Sequence, residues 1–152
     1  MPDRAFVPEQ FAVPRLLRTD AFRLEPLGPQ HNAADFAAWT SSIEHIRATP
    51  GFATGSWPRA GMSIEENLRD LTRHAKDFAA RIGFTYTVLD HHDEVIGCVY
   101  IYPSDQEGTE AWVGSWVRAD HAELDRALYE AVIRWLDDDW PFTTIDYAPR
   151  AS

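Results

Sequence analysis

Residues 111–136 read as a β-strand that runs through a short polar turn into an amphipathic helix. The strand covers 111–117, the turn covers 118–120, and the helix is predicted to begin near His121. In this helix the apolar residues recur at helical spacing: Leu124, Leu128, Val132, Trp135 and Leu136. The first turn of such a helix points free backbone N–H groups at one spot, which makes the junction a natural anion site. Asp120, Glu123 and Asp125 surround that spot. The sequence therefore predicts an anion site that the chain's own carboxylates oppose.

The charge and length of the chain restrict its partners and its compartment. The 152 residues fit one domain, and 24 acidic against 14 basic side chains give a net charge of -10. This field repels phosphate backbones, so nucleic acid is not expected as a partner. No apolar run approaches membrane-spanning length, and residues 1–14 lack a signal-peptide core. The single Cys98 lies in the apolar run 95–101, which predicts a core residue in a soluble, cytoplasmic protein.

Strand and helix patterns follow one another in the order β–α–α–β–β–β–α–β. The strands are predicted at 22–27, 84–89, 95–102, 111–117 and 143–147. The clearest helix follows Ser63, which forms a capping-box signature with Glu66. Its apolar face is predicted to hold Leu68, Leu71, Ala75, Phe78 and Ile82. Gly83 is predicted to end this helix.

The first 18 residues differ in composition from the rest of the chain. Pro2, Pro8 and Pro14 exclude a helix and a central strand there. Phe6 and Phe11 indicate that this segment packs against the domain, because a free tail would gain nothing from them. The sequence therefore predicts an extended N-terminal arm over 1–18 and a single domain over 19–152.

Four residues form a candidate ligand pocket. Trp112, Gly114 and Trp116 share one face of the strand at 111–117, and Gly114 leaves a gap there for a ligand or another side chain. Trp57 lies in a loop rich in Gly and Pro, where it can cover a pocket or anchor the loop. An aromatic core explains these tryptophans equally well.

The element order, the opening strand at 22–27 and the third strand at 95–101 resemble the GCN5-related N-acetyltransferase (GNAT) superfamily. The resemblance covers residues 19–147. It implies an α+β fold with a mixed, mostly antiparallel sheet of about five strands, flanked by three to four helices. It further implies that Trp116, Val117, Arg118 and Arg126 contact acetyl-CoA, if the protein is an acetyltransferase.

The turn after residue 117 departs from the family pattern. The family carries Arg/Gln-x-x-Gly-x-Gly/Ala there, and the glycines let backbone N–H groups reach the CoA pyrophosphate. Residues 120–128 contain no glycine, and Glu123 and Asp125 fall where the family has its glycines. Asp120 and Glu123 also form an Asp-x-x-Glu capping pair. The resemblance therefore implies a degenerate pyrophosphate site.

The catalytic residues of the family have no matching motif in this sequence. A family helix that often supplies a tyrosine acid has no counterpart after Tyr147, so Tyr147 itself is a weak candidate acid. Glu110 precedes the strand at 111–117, where some family members carry a general base, and it is a weak candidate base. His91, His92 and Asp93 read as a solvated hairpin tip, so no metal site is expected.

Two functional hypotheses follow. The first is a GNAT-like module that is not a conventional acetyltransferase and binds another small molecule or a protein, with no cofactor assigned. The alternative is an acyl-CoA-dependent N-acyltransferase that acts on a small amine and uses acetyl-CoA. The strand at 143–147 would form a sheet edge, which the N-terminal arm or a second copy of the chain can cover. A homodimer and a partner at the acidic run 137–139 are further expectations.

Overall fold

The computed structural model describes residues 5–53 and 55–150 as an α+β fold built on one six-stranded sheet. The strands are β1 (Leu17–Arg18), β2 (Arg23–Pro26), β3 (Phe84–Leu89), β4 (Val95–Pro103), β5 (Ala111–Val117) and β6 (Ile145–Tyr147). They lie in chain order across the sheet, and every neighbouring pair is antiparallel except β5 with β6. The predicted mixed, mostly antiparallel sheet is confirmed.

The strand count exceeds the predicted five because of one short strand. Strand β1 lies at the end of the predicted arm and pairs with β2, Leu17 opposite Leu24. The arm's strand therefore lies at the sheet edge opposite β6. Phe6 nevertheless stacks on Phe142, with the ring centroids 4.9 Å apart, and Phe142 directly precedes β6. Residues 1–4 of the predicted arm lie outside the described residues.

Within the described ranges, four α-helices and two short 3₁₀ helices flank the sheet. The α-helices are α1 (Asn32–Thr40), α2 (Ile43–Ala48), α3 (Ile64–Ala79) and α4 (Asp125–Asp139). The 3₁₀ helices cover Pro29–His31 and Ala119–Leu124. None of the helices in the described part of the chain is both long and apolar enough to cross a membrane.

The two faces of the sheet carry separate apolar clusters. On one face, α4 contributes Leu128, Val132, Trp135 and Leu136, and the N-terminal segment contributes Val7 and Phe22. On the other face lie Trp39 of α1, Ile46 of α2, Leu71 of α3, Cys98 and Trp116. Side chains of a strand alternate between faces, and β5 accordingly sends Val113 to the first cluster and Trp116 to the second.

Helix α3 ends earlier than the sequence predicts. Its last residue is Ala79, and Arg81 adopts a left-handed backbone with φ of 61°. Ile82 lies beyond the helix and is 54% exposed, and Leu68 is 41% exposed. Gly83 is needed for a different reason: a Cβ there would lie 2.1 Å from the Tyr102 ring. The predicted apolar face of α3 therefore included two residues, Leu68 and Ile82, that are exposed.

The capping box of α3 gives the first testable prediction. The Ser63 hydroxyl accepts from the Glu66 N–H at 3.1 Å, and the Glu66 carboxylate accepts from the Ser63 N–H at 3.0 Å. We expect Ser63→Ala to lower the free energy of unfolding by about 1 kcal/mol, measured by urea denaturation. The control is Thr72→Ala, because the Thr72 hydroxyl only bonds the Leu68 carbonyl within the same helix. Equal losses in both variants would contradict a specific capping role.

Candidate functional site

The junction between β5 and α4 is a 3₁₀ helix rather than the first turn of α4. The sequence places the helix start near His121, whereas α4 begins at Asp125. Asp120 does not cap this turn: it accepts from the Arg118 guanidinium at 2.9 Å and contacts the His121 ring at 2.9 Å. The Arg118 bond, and then the His121 bond, lower the pKa of Asp120 to about 2. These three side chains form a local ion-pair cluster at the turn.

A second ion pair closes the first turn of α4. Arg150 donates to the Asp125 carboxylate at 2.7 Å and to the Ser115 carbonyl of β5 at 2.7 Å. Its guanidinium lies 5.6 Å from the Tyr129 ring centroid and 5.7 Å from that of Tyr147. The Arg150 side chain is only 4% exposed. At the helix end where the sequence predicts an anion site, the buried Arg150 side chain is thus bound to the chain's own carboxylate, that of Asp125.

Arg150 reaches β5 because β6 is short. The parallel pairing covers residues 111–113 of β5 opposite 145–147, and it stops there. Beyond that point the backbone carbonyl of Ser115 is bonded by Arg150 instead of by a neighbouring strand. Residues 148–150 therefore close the opening that β5 and β6 leave between them.

The two candidate catalytic residues have structural partners. The Tyr147 hydroxyl bonds the Ser115 hydroxyl, and burial raises the pKa of Tyr147. The Glu110 carboxylate accepts from the Thr143 N–H and hydroxyl, both at 2.7 Å, and so holds the chain that leads into β6. Both residues stay predictions as catalytic groups.

The four candidate cofactor residues point in different directions. Trp116 and Val117 are buried in the two opposite apolar clusters. Arg118 donates to the Val95 carbonyl at 3.1 Å in addition to its bonds with Asp120. Arg126 pairs with Glu130 at 2.9 Å on the exposed side of α4. No contact joins the two arginines within residues 5–53 and 55–150.

A large cavity opens on the face of the sheet that carries Trp116. Its volume is about 560 Å³, and it lies between α1, α3, the loop residues 51–52 and 55–57, and strands β4 and β5. The aromatic residues that line it are Phe52, Trp57, Tyr100, Tyr102 and Trp112. Asp35, Asn67, Asp70, Arg73 and His74 are its hydrogen-bonding or charged lining residues.

The structure brings two of the predicted pocket residues into this cavity. Trp57 and Trp112 line it, whereas Trp116 is fully buried behind it and donates to the Tyr100 hydroxyl at 3.0 Å. The gap at Gly114 holds the Trp112 ring, since a Cβ on Gly114 would lie 2.5 Å from that ring. The sequence left open whether a ligand or another side chain fills this gap, and in the structure a side chain fills it.

Trp57 forms part of the cavity wall and anchors its loop. Its ring centroid lies 5.5 Å from that of Trp39 and 6.0 Å from that of Trp116. Phe52 and Tyr100 are also within 6.3 Å of it. The loop therefore docks on the second apolar cluster through a ring that also faces the cavity.

Asp35 is a buried carboxylate on the cavity wall. It is 4% exposed, and its carboxylate accepts one hydrogen bond, from the Asn67 amide at 3.2 Å. No cationic side chain contacts it among the described residues. Burial is the main cause that raises the pKa of Asp35, from 3.8 to about 6. At neutral pH the cavity therefore holds a buried negative charge with little protein compensation.

His74 presents a hydrogen-bond acceptor to the same cavity. The Tyr102 hydroxyl donates to Asp77 at 2.9 Å, so in its 3.0 Å contact with His74 it accepts from the Nδ1–H. Nδ1 also contacts the Thr85 hydroxyl at 2.8 Å. This tautomer leaves Nε2 with a free lone pair. Burial lowers the pKa of His74 to about 4, so the ring is neutral at physiological pH.

The sequence did not single out Asp35, Asn67 or Arg150. Asp35 and Asn67 belong to helices separated by 23 residues of chain, and only their contact in the fold creates a buried polar pair. The one available signal was the apolar spacing of α1 and α3, which places both residues near the buried stripes of their helices. Arg150 lies in a segment without any pattern.

The fold matches solved acetyltransferase structures. The ribosomal-protein-S5-alanine acetyltransferase of Vibrio fischeri superposes with a TM-score of 0.62 over 80% of this chain, at 12% identity. A protein assigned to the GnaT family from Bordetella pertussis gives 0.58 over 82%, at 18% identity. The microcin C7 self-immunity acetyltransferase MccE, solved with acetyl-CoA and AMP, gives 0.61 over 80%, at 14% identity. The chain has the GNAT fold.

These likenesses concern the fold alone. The chain spans 66%, 73% and 63% of the respective matched proteins, so about a third of their length has no counterpart here. No protein-family model matches the sequence. No curated protein sequence matches it either.

The buried Asp35 carboxylate leads to a pH-dependent stability prediction. Its folded-state pKa of about 6 exceeds the unfolded value of 3.8, so the folded protein loses stability as the pH rises between these values. This rise in pKa lowers the free energy of unfolding at neutral pH by an amount on the order of 3 kcal/mol. Asp35→Asn keeps an oxygen for the Asn67 amide but carries no charge. We expect this variant to be more stable than the wild type by up to about 3 kcal/mol near neutral pH.

Urea denaturation at several pH values checks this expectation. The advantage of Asp35→Asn should shrink toward zero as the pH falls to about 4, because Asp35 is then neutral in the folded wild type. Asp138→Asn, at the exposed end of α4, is the control and should show no such pH-dependent gain. A gain that is independent of pH would show that charge burial is not its cause.

Proposed function

We propose that this protein is a GNAT-like binding module with a degenerate acyl-CoA loop, which holds a small molecule in the cavity between α1 and α3. The observation that carries the proposal is the contrast between two sites on one sheet. The helix end that would receive a pyrophosphate is closed by Arg150 and Asp125. The cavity of about 560 Å³ is open and is lined by aromatic side chains with a few polar groups, as small-molecule sites are.

Electrostatics supports the same assignment. An incoming pyrophosphate must compete with Asp125 for Arg150, and it also meets Asp120 and Glu123 within the same turn. The net charge of -10 disfavours anionic ligands further. None of the described residues blocks the cavity in a comparable way. We therefore assign ligand binding to the cavity rather than to the helix end.

His74 suits ligand recognition better than general-base catalysis. A general base works best when its pKa lies near the working pH, and the pKa of His74 is about 4. A neutral imidazole of such low basicity takes a proton poorly, yet its Nε2 still accepts a hydrogen bond from a ligand. The group suits recognition.

A thermal-shift titration with acetyl-CoA and with CoA at low salt tests the proposal. We expect no change in Tm at millimolar cofactor, because a ligand raises Tm only if it binds the native state. Desulfo-CoA, which cannot form a mixed disulfide, is the matched control for thiol effects. A saturable increase in Tm would contradict the proposal and would favour the alternative function.

That alternative is an acyl-CoA-dependent N-acyltransferase acting on a small amine. The observation in its favour is the shared fold, since MccE was solved with acetyl-CoA bound. A further proposal is a protein partner, which includes a second copy of this chain. An increase in Tm with acetyl-CoA should then be followed by an assay of CoA release with a panel of amines.

The degenerate turn makes a second, independent prediction. The double variant Glu123→Gly/Asp125→Gly removes two carboxylates from the turn and frees Arg150 from its ion pair. We expect it to gain a measurable Tm increase with acetyl-CoA, since both the repulsion and the internal competitor are gone. The control is Asp138→Asn/Asp139→Asn, which removes the same two charges at the other end of α4. No gain in the turn variant, or an equal gain in both, would contradict the placement of the pyrophosphate at this turn.

A further inference from the structure

We propose that the cavity between α1 and α3 binds an organic cation, whose charge is recognised by the buried Asp35 carboxylate and by the surrounding aromatic rings. This inference rests on the proposed function and names the class of ligand. The positive charge itself is the recognised feature, so a quaternary ammonium group, which has no nitrogen lone pair to acylate, is within the class.

The first argument is an unbalanced buried charge. Asp35 is 4% exposed, and the Asn67 amide is the one hydrogen-bond donor to it within the described chain. Buried carboxylates in proteins are normally paired with a cation or accept several hydrogen bonds. Arg150, whose side chain is also only 4% exposed, has a carboxylate, backbone carbonyls and two aromatic faces around it. The partner that Asp35 lacks is a cation.

The second argument is the aromatic lining of the cavity that Asp35 also lines. Phe52 packs against Tyr100, Trp112 and Trp57, with ring centroids 6.1 to 6.4 Å apart, and all four rings line the cavity. Aromatic faces carry negative potential and attract ammonium groups, most strongly where water is excluded. Rings alone would equally suit a neutral apolar ligand. The rings together with an uncompensated carboxylate favour a cation.

The third argument is the charge of the remaining lining residues. Arg73 is the one cationic side chain on the cavity wall in the described ranges, and its guanidinium lies 3.8 Å from Asp70. His74 is neutral above about pH 4. The charges of Arg73 and Asp70 offset each other, so the charge of Asp35 sets the sign of the electrostatic potential in the cavity.

The groups that face Asp35 define its pH dependence. Asn67 and Asp70 of α3 act on it directly, and Arg73 and His74 lie on the same helix. On β4, burial is the main cause that raises the pKa values of Cys98 and Tyr100, and the charge of Asp35 raises both further. Above a pH of about 6, Asp35 is ionised and can bind the cation. Affinity should therefore fall as the pH drops through about 6, while His74 is still neutral.

The test is a calorimetric titration with quaternary ammonium probes of increasing size: tetramethylammonium, choline and benzyltrimethylammonium. The matched neutral probe is 3,3-dimethylbutan-1-ol, which has the shape of choline without its charge. We expect choline to bind at least about tenfold more tightly than this alcohol. Asp35→Asn should lose at least about tenfold in affinity for the cations and leave the affinity for the alcohol unchanged. Asp138→Asn should change neither affinity.

Each other outcome is decisive. If no ammonium probe binds to the wild type, or if the alcohol binds as tightly as choline, the assignment of a cation is wrong. If Asp35→Asn binds choline like the wild type, the carboxylate is not the recognition group, and the proposal falls. The urea denaturation of Asp35→Asn described above verifies that this variant is folded before its affinities are compared. Failure of the proposed function is distinct, since it would appear as acetyl-CoA binding in the thermal-shift titration.

Discussion

The buried side chain of Asn67 holds the two helices of the cavity in one geometry. Its amide donates to Asn32 at 2.8 Å and to Asp35 at 3.2 Å, and its oxygen accepts from the Trp39 indole at 3.0 Å. Every polar group of Asn67 is thus used, at 2% exposure. An apolar residue there would leave an indole N–H and a carboxylate without partners. Asn67 therefore helps to fix the distance between α1 and α3, together with the bond from the Asn32 amide to the Ile64 carbonyl and the packing of Trp39 and Leu71 in one apolar cluster.

The two most buried charges of the site differ in how the fold compensates them. Arg150 has a full set of partners, so its burial is explained by the closure it makes between β5, β6 and α4. Asp35 has one amide donor, although an asparagine there would keep that bond without the penalty of a buried charge. A charge that is retained at a cost in stability, on the wall of an open cavity, is typical of a binding site.

Local patterns predicted the elements, and long-range contacts made the site. Alternation and helical spacing found every long strand and α3, because one buried face imposes those periods within a single element. The end of α3 was missed, since Arg81 takes the left-handed position without being a glycine. The Asp35–Asn67 pair and the Arg150–Asp125 pair join residues 32 and 25 positions apart. The periodic patterns of a sequence describe single helices and strands, so they do not reveal contacts between residues this far apart in the chain.

The fold alone does not transfer the activity of its structural neighbours, because ligands respond to charges that the fold does not dictate. At the start of α4, an anion must displace Asp125 from the buried Arg150 side chain. Its binding free energy is therefore only the difference between the ion pair that it forms and the one that it breaks. In the cavity, a cation meets no such internal competitor among the described residues, and in our proposal it supplies the partner that Asp35 lacks. The same sheet thus opposes an anion at one opening and favours a cation at another, and a chain with a net charge of -10 strengthens both tendencies.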